Sequence, residues 1–278
     1  MEEKRKFGLT SNLLKMIACA TMLIDHIGAV FFSSYAGWMT LGVLSLPAFL
    51  GGASFTVSCF RDFWLMRYIG RFAMPIYCYR AAIGGIYTRN RKKYIFRMVL
   101  FALIAEIPFD LAFNETWFDL QYNNVMITLT VGVLCVMAAE SLRKSAVQDD
   151  ASSRPAAAYL LPSLLIFAAG AIAAELANAD YGWVGVAFIA CFYYFRNRPA
   201  IMSVVFALLT IAPDLIESLI KYQILVIPVE AAASLALILI LLHNGKKGSD
   251  SKLLQYGFYA FYPVHLAVIA AINLLILR

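Results

Sequence analysis

Charge is what this chain has least of. Asp, Glu, Lys and Arg make up only 14% of its 278 residues, against 62% hydrophobic residues, and the mean hydropathy is +0.74. A water-soluble domain of this length needs far more polar surface, which excludes soluble enzymes and binding modules. Cysteine is scarce too. Cys19, Cys59, Cys78, Cys135 and Cys191 are odd in number, form no CxxC and lie inside apolar runs. That excludes a disulfide framework and a thiolate metal centre, and no metal site is expected. The chain also lacks GxSxG, HExxH, a P-loop and a dinucleotide-binding GxGxxG. Serine hydrolase, zinc protease and ATPase readings thereby lose their main support.

What is there, repeatedly, is apolar sequence in lengths of roughly 20 residues, enough to span a bilayer as helix. Spans are expected near 13–33, 71–88, 94–113, 123–141, 157–178, 181–195, 199–220, 222–243 and 254–277. The expected fold is an all-α, polytopic integral membrane bundle of about 9–10 transmembrane helices, a single domain over 1–278. The first run keeps Lys15 near its start and is followed by no small-residue cleavage pattern, so it reads as a retained helix. Residues 36–60 are apolar as well, but Pro47 and the Gly51-Gly52 pair weaken a helix there.

Basic residues orient the bundle. Residues 1–6, 88–97, 142–144, 196–198 and 243–252 carry them, and all five segments fall on one face only if 36–60 does not cross once. A re-entrant or helical-hairpin insertion is therefore expected at 36–60. The amino terminus is expected to be cytoplasmic, in a multi-pass membrane protein. The net charge of +6 fits contact with lipid headgroups, not nucleic acid.

This orientation puts Asp25, His26, Arg71, Glu106, Asp110, Asn124, Asp180 and Asp214 in the outer halves of their helices or at the outer ends. Ionisable groups in a membrane face a bundle interior or a wet cavity, seldom lipid. Lys15 and His26 are eleven residues apart, roughly 16 Å along a helix and on nearly the same face. A cation would mark the cytoplasmic mouth, with an imidazole deep above it as a general base. The plainer reading is a snorkelling lysine and a structural histidine. Asp25 points a quarter turn away and is expected to pair with Arg71, as a catalytic neighbour or as a structural salt bridge. Glu106 with Asp110, and Asp214 with Glu217, are close carboxylate pairs. They suit an amine or hydroxyl acceptor, or simply helix ends near the interface. In FYAFYPVHL, 258–266, Tyr262 and His265 read first as an aromatic packing layer with one satisfied histidine.

LKMIACATMLIDHIG, RYIGRFAMPIY, YTRNRKKYIFR, FALIAEIPFDLAF, NNVMITLTVG, DYGWVGV and FYAFYPVHL occur in this order. The pattern resembles the TraX family from about residue 13 to residue 266, with 34–62 departing from it. The family's namesake acetylates the amino-terminal residue of F-type conjugative pilin. TraX proteins in turn resemble the transmembrane acyltransferases of the acyltransferase-3 type. There, a basic residue, ten others and a histidine mark the first helix; Lys15 and His26 have that spacing, with Lys in place of the usual Arg.

The resemblance implies an acetyltransferase of the bacterial cell membrane that uses acetyl-CoA as acyl donor, with His26 as catalytic histidine and Arg71 as a site arginine. Asp25 would assist them. Lys15, Arg89, Arg91, Lys92 and Lys93 would hold the phosphates of CoA. Glu106, Asp110, Asn124, Asp180, Asp214, Tyr262 and His265 would face an acceptor amine or hydroxyl, such as a peptide N-terminus or a surface glycan. Pilin itself does not carry over as the acceptor. A proton-coupled transporter or exporter is the alternative, since buried Asp, Glu and His also build proton relays. The chain shows no inverted repeat of the transporter kind. A third reading is a non-enzymatic membrane chaperone for a secreted peptide.

Overall fold

The structure, a computed structural model, describes residues 8–32, 37–45, 54–61, 64–148, 157–222, 224–226 and 228–276. It is a polytopic helix bundle. Among the described residues, five helices are long and apolar enough to cross a membrane: α1 (Ser11–Phe31), α5 (Val125–Gln148), α6 (Ala157–Leu176), α8 (Pro199–Tyr222) and α10 (Lys252–Ile276). Between them run α2 (Trp64–Gly70), α3 (Ala73–Tyr87), α4 (Arg91–Phe113), α7 (Gly182–Tyr194) and α9 (Ala236–Leu241). Caps begin two of the helices at the basic segments. The Thr10 hydroxyl accepts from the Leu13 amide at 3.3 Å, and the Asn90 carboxamide accepts from Lys93 N at 2.9 Å. The interior is rich in small side chains such as Ala18, Ala82, Ala102, Ala105 and Ala139, which let helix axes approach where water supplies no hydrophobic drive. Leu103, Leu161, Leu165, Ile172 and Val204 point outward, as a lipid solvent permits.

Two expectations change here. The insertion at 36–60 is a hairpin, but one of strands. β1 (Gly37–Ser45) runs antiparallel to β2 (Ser54–Arg61), from Gly37 opposite Arg61 to Ser45 opposite Ser54, with a bulge between Thr40 and Gly42. Trp38, Thr40, Val43, Phe55, Thr56 and Val57 are strand formers, and the pairing satisfies the backbone without a helix. Pro47 and Gly51-Gly52 lie outside the described residues. Nor is 222–243 one continuous helix. Ile224–Val226 forms β3, parallel to β2, and a 3-10 turn, Val229–Leu235, then leads into α9. Pro228, without an amide hydrogen, stands just before that turn and cannot serve a helix running through it.

The bundle has a basic end. There Leu9 N donates to Leu242 O and Ser11 N to Lys246 O, both at 2.9 Å, while Arg91 Nη1 reaches Ser141 Oγ at 2.6 Å. The start of α1 thus meets the basic segment around 243–252, and the head of α4 meets the end of α5 beside 142–144. At the opposite end two loops are laced together. Asn123 N donates to Asn178 O at 2.8 Å, and Asp180 N to Asn123 O at 2.7 Å.

Helix α2 packs on α1 so closely that Gly70 lies against the Asp25 side chain. A Cβ built there would fall on the carboxylate. Gly70→Ala should therefore lower stability by roughly 1–3 kcal/mol through overpacking. A thermal melt in detergent reads this, and an unchanged midpoint would mean that the helices part without cost.

Candidate active site

In the last third of α1, His26 faces α10. Its Nδ1 lies 2.7 Å from Nε2 of His265, and Nδ1 of His265 lies 2.7 Å from the carbonyl oxygen of Phe261. The two imidazole planes differ by only 13° with centroids 4.9 Å apart. A nitrogen–nitrogen contact that short between nearly parallel rings puts them edge to edge in one plane, not face to face. Phe113 of α4 and Tyr262 of α10 stand edge-on to His26, at 5.3 and 6.2 Å between centroids. The histidine expected to pack in an aromatic layer is thus a direct partner of the one expected to react. Two hundred and thirty-nine residues separate them, and no local pattern reveals such a contact.

On the basic side of this pair lies a cavity of about 790 Å³, within the ordinary size of a ligand site. Lys15, Arg80, Arg89, Arg97 and Lys247 line it against Asp250. Its far end reaches Met22, Val125 and Tyr262, so it runs from the basic end to the first residue of α5. Lys15 Nζ sits 5.1 Å from the centroid of Phe258, and the Arg97 guanidinium lies between Tyr94 and Tyr259, at 5.9 and 5.8 Å. The Nε atoms of Arg80 and Arg97 are buried without a hydrogen-bond partner. Buried donors rarely go unpaired, and here they flank an open cavity. At its rim His243 bridges Ser11 Oγ at 3.0 Å and Tyr79 Oη at 2.9 Å. Burial, and then the nearby Arg80 charge, lower the pKa of His243.

A second cavity, about 550 Å³, opens at the other end of the bundle. Arg67, Arg71, Glu175, Asp180, Asp214 and Glu230 line it. Asp25 pairs with Arg67, at 2.9 Å, and not with Arg71 as expected. Arg67 Nη1 also donates to the Asp25 carbonyl at 3.2 Å. The reason is the short α2, which carries Arg67 along α1. Arg71 lies past its end and goes to Tyr181 Oη at 2.8 Å and Glu230 Oε1 at 3.1 Å. Tyr181 adopts a left-handed backbone, φ 62°, uncommon for a tyrosine and typical of positions held by their surroundings. Asp180 accepts from Tyr122 Oη at 2.9 Å, and burial raises the pKa of this loop carboxyl.

The remaining expected residues divide. Of the basic cluster, Arg89 lines the larger cavity, Arg91 turns to Ser141, and Lys92 and Lys93 are exposed. Glu106 is held by the Asn124 side chain and backbone, and Asn124 Nδ2 also donates to Ala102 O at 2.9 Å. Asp110 accepts from Asn114 Nδ2 at 3.0 Å and Asp119 N at 2.8 Å. These three tie α4 to α5 and the 114–123 loop, and they line neither cavity. Glu217 is exposed and paired with Lys221 at 2.6 Å. Asp214 does line the smaller cavity, and Tyr262 the larger. Arg80 and Glu230 escaped the sequence reading, and Arg97 and Lys247 figured only as members of the basic segments 88–97 and 243–252. Arg80 carried a usable signal: it is a cation in the middle of the apolar run 71–88, nine residues past Arg71, and such residues mark sites by default.

The polytopic membrane helix bundle, taken with the family match that follows, is acyltransferase-like. Residues 10–273 match the TraX protein family, and the chain belongs to it. It is 27% identical over 279 residues to the probable fimbrial assembly protein FimC, serogroup H1, of Dichelobacter nodosus, covering 96% of this chain and 97% of that protein. No solved structure matches it.

Proposed function

We propose that the protein transfers an acetyl group from acetyl-CoA, docked in the cationic cavity from the cytoplasm, to an amine or hydroxyl acceptor entering the opposite cavity. The observation that carries this reading is the place of His26. Tyr262, at the far end of one cavity, stands against it, and Asp25 beside it is bonded to Arg67 of the other. The donor's phosphates suit the cations of the mouth, where Arg80 and Arg97 each keep an unpaired Nε. Its apolar arm suits Met22, Met126 and Leu129 further in. His26 lines neither cavity, so Tyr262 must swing aside for the thioester to arrive.

His26 then removes the acceptor's proton as the acceptor's nitrogen or oxygen attacks the thioester carbonyl carbon. The carbon–sulfur bond breaks, and the CoA thiolate leaves with the proton that His26 had taken. Arg67 and Arg71, positioned by Asp25, Glu230 and Tyr181, offer positive charge near the developing oxyanion. Asp180 and Asp214 face the acceptor. The fimbrial assembly named for the relative fits an acceptor on the non-cytoplasmic side. Under this reading the amino terminus is cytoplasmic and the chain forms a single acyltransferase-like domain.

Purified protein in vesicles of defined orientation tests the proposal. Acetyl-CoA does not cross the bilayer unaided. Free thiol should appear only when acetyl-CoA is supplied to the basic end, and labelled acetyl should move to an acceptor on the other side. Folded protein that releases no thiol would favour the transporter alternative.

A further inference from the structure

We infer that His265 is a positioning residue that fixes the tautomer of His26 and leaves Nε2 of His26 as the atom that takes the proton; this rests on the acyl-transfer reading above. The Phe261 carbonyl fixes the first hydrogen. A carbonyl oxygen only accepts, so His265 Nδ1, 2.7 Å away, carries a hydrogen. A neutral imidazole has one N–H, and Nε2 of His265 therefore presents a lone pair. That lone pair faces His26 Nδ1 at 2.7 Å. Two lone pairs at that distance would repel, so His26 Nδ1 is the donor. The hydrogen of neutral His26 is then spoken for, and its Nε2 is left as a lone pair, the form a general base requires.

The arrangement also acts during the reaction. Once Nε2 of His26 binds the acceptor's proton, the ring is cationic and its Nδ1–H bond to His265 becomes charge-assisted. Charge-assisted bonds are roughly twice as strong as neutral ones. The bond thus strengthens in the transition state more than in the ground state, which is what lowers a barrier. The near-coplanar rings, 13° apart, aim the donor at the lone pair. His265 is itself held by its own helix, through Phe261. It touches no reacting atom and works through the orientation of His26.

The chain has three histidines, so nitrogen-15 spectra of histidine-labelled protein are assignable from single substitutions. In the wild type, His26 is expected as the Nδ1-protonated tautomer. In His265→Phe it should become a tautomer mixture, with kcat falling at least tenfold and KM for acetyl-CoA within about twofold. His265→Gln places a carboxamide oxygen where Nε2 stood and should recover most of kcat. Nε2-protonated His26 in the wild type overturns the inference, as does a folded His265→Phe with unchanged kcat. Either result leaves acyl transfer standing. A wild type that never turns over sinks acyl transfer and the base role together, whatever the spectra show.

Discussion

Replacing His26 by alanine should abolish acyl transfer, with kcat down on the order of 10²-fold or more, the usual contribution of a general base. Binding of CoA should persist, because the cations of the cavity lie toward the basic end, away from the histidine pair. The substitution removes the ring between Phe113, Tyr262 and His265, so a thermal melt must accompany the rates. His26→Gln keeps more of the volume and should be equally inactive, since a carboxamide accepts no proton near neutral pH. Paired turnover and CoA-binding measurements decide the matter. If either variant turns over normally while folded, the proposed mechanism is wrong, and the histidine pair is a structural bond or part of a proton relay.

Neutralising Arg80 and Arg97 together should raise KM for acetyl-CoA about 10²-fold or more while kcat changes little. Hydrogen bonds to charged groups contribute about 1.5–3 kcal/mol each, and contacts with the phosphates are far from the reacting carbon, so they act on binding alone. Stability supplies an independent reading. Each Nε is buried without a partner, and such groups cost free energy in the unliganded protein. Arg80→Gln should accordingly melt no earlier than the wild type without CoA, but lose the stabilisation that CoA confers on the wild type. Arg97→Gln also gives up its contact with the rings of Tyr94 and Tyr259. Neutralising Lys92 and Lys93, both exposed, together with Arg91 should leave KM near the wild-type value. A KM that follows the exposed lysines instead would put the donor outside the cavity.

The basic cluster shows how far the sequence could be read. From the chain alone Arg89, Arg91, Lys92 and Lys93 are equivalent, because consecutive residues at the head of a helix share a position in depth. Folding separates them: Arg89, ahead of the Asn90 cap of α4, meets the cavity, whereas Arg91, Lys92 and Lys93, each about a quarter turn from the last in the first turn of α4, do not. Asp25 behaves similarly. Its need for a cation was legible from its burial in an apolar run, but the choice between Arg67 and Arg71 depended on where α2 ends. The hairpin at 37–61 was legible as an interruption and not as strands, because short apolar runs lack a decisive period.

What the sequence determined by itself is the solvent and the class: apolar runs of bilayer length and motifs of the TraX family through nearly the whole chain. It also marked His26, since an imidazole in such a run has few ordinary reasons to be there. The tertiary structure alone decided which groups come together. The bond from His26 to His265 joins α1 to α10, Arg80 and Arg97 reach one cavity from α3 and α4, and Glu230 reaches Arg71 from beyond the third strand. The physical reason is range. Hydropathy and charge bias act segment by segment and can be summed along the chain, whereas a hydrogen bond forms over about 3 Å and depends on how helices distant in sequence rotate and pack.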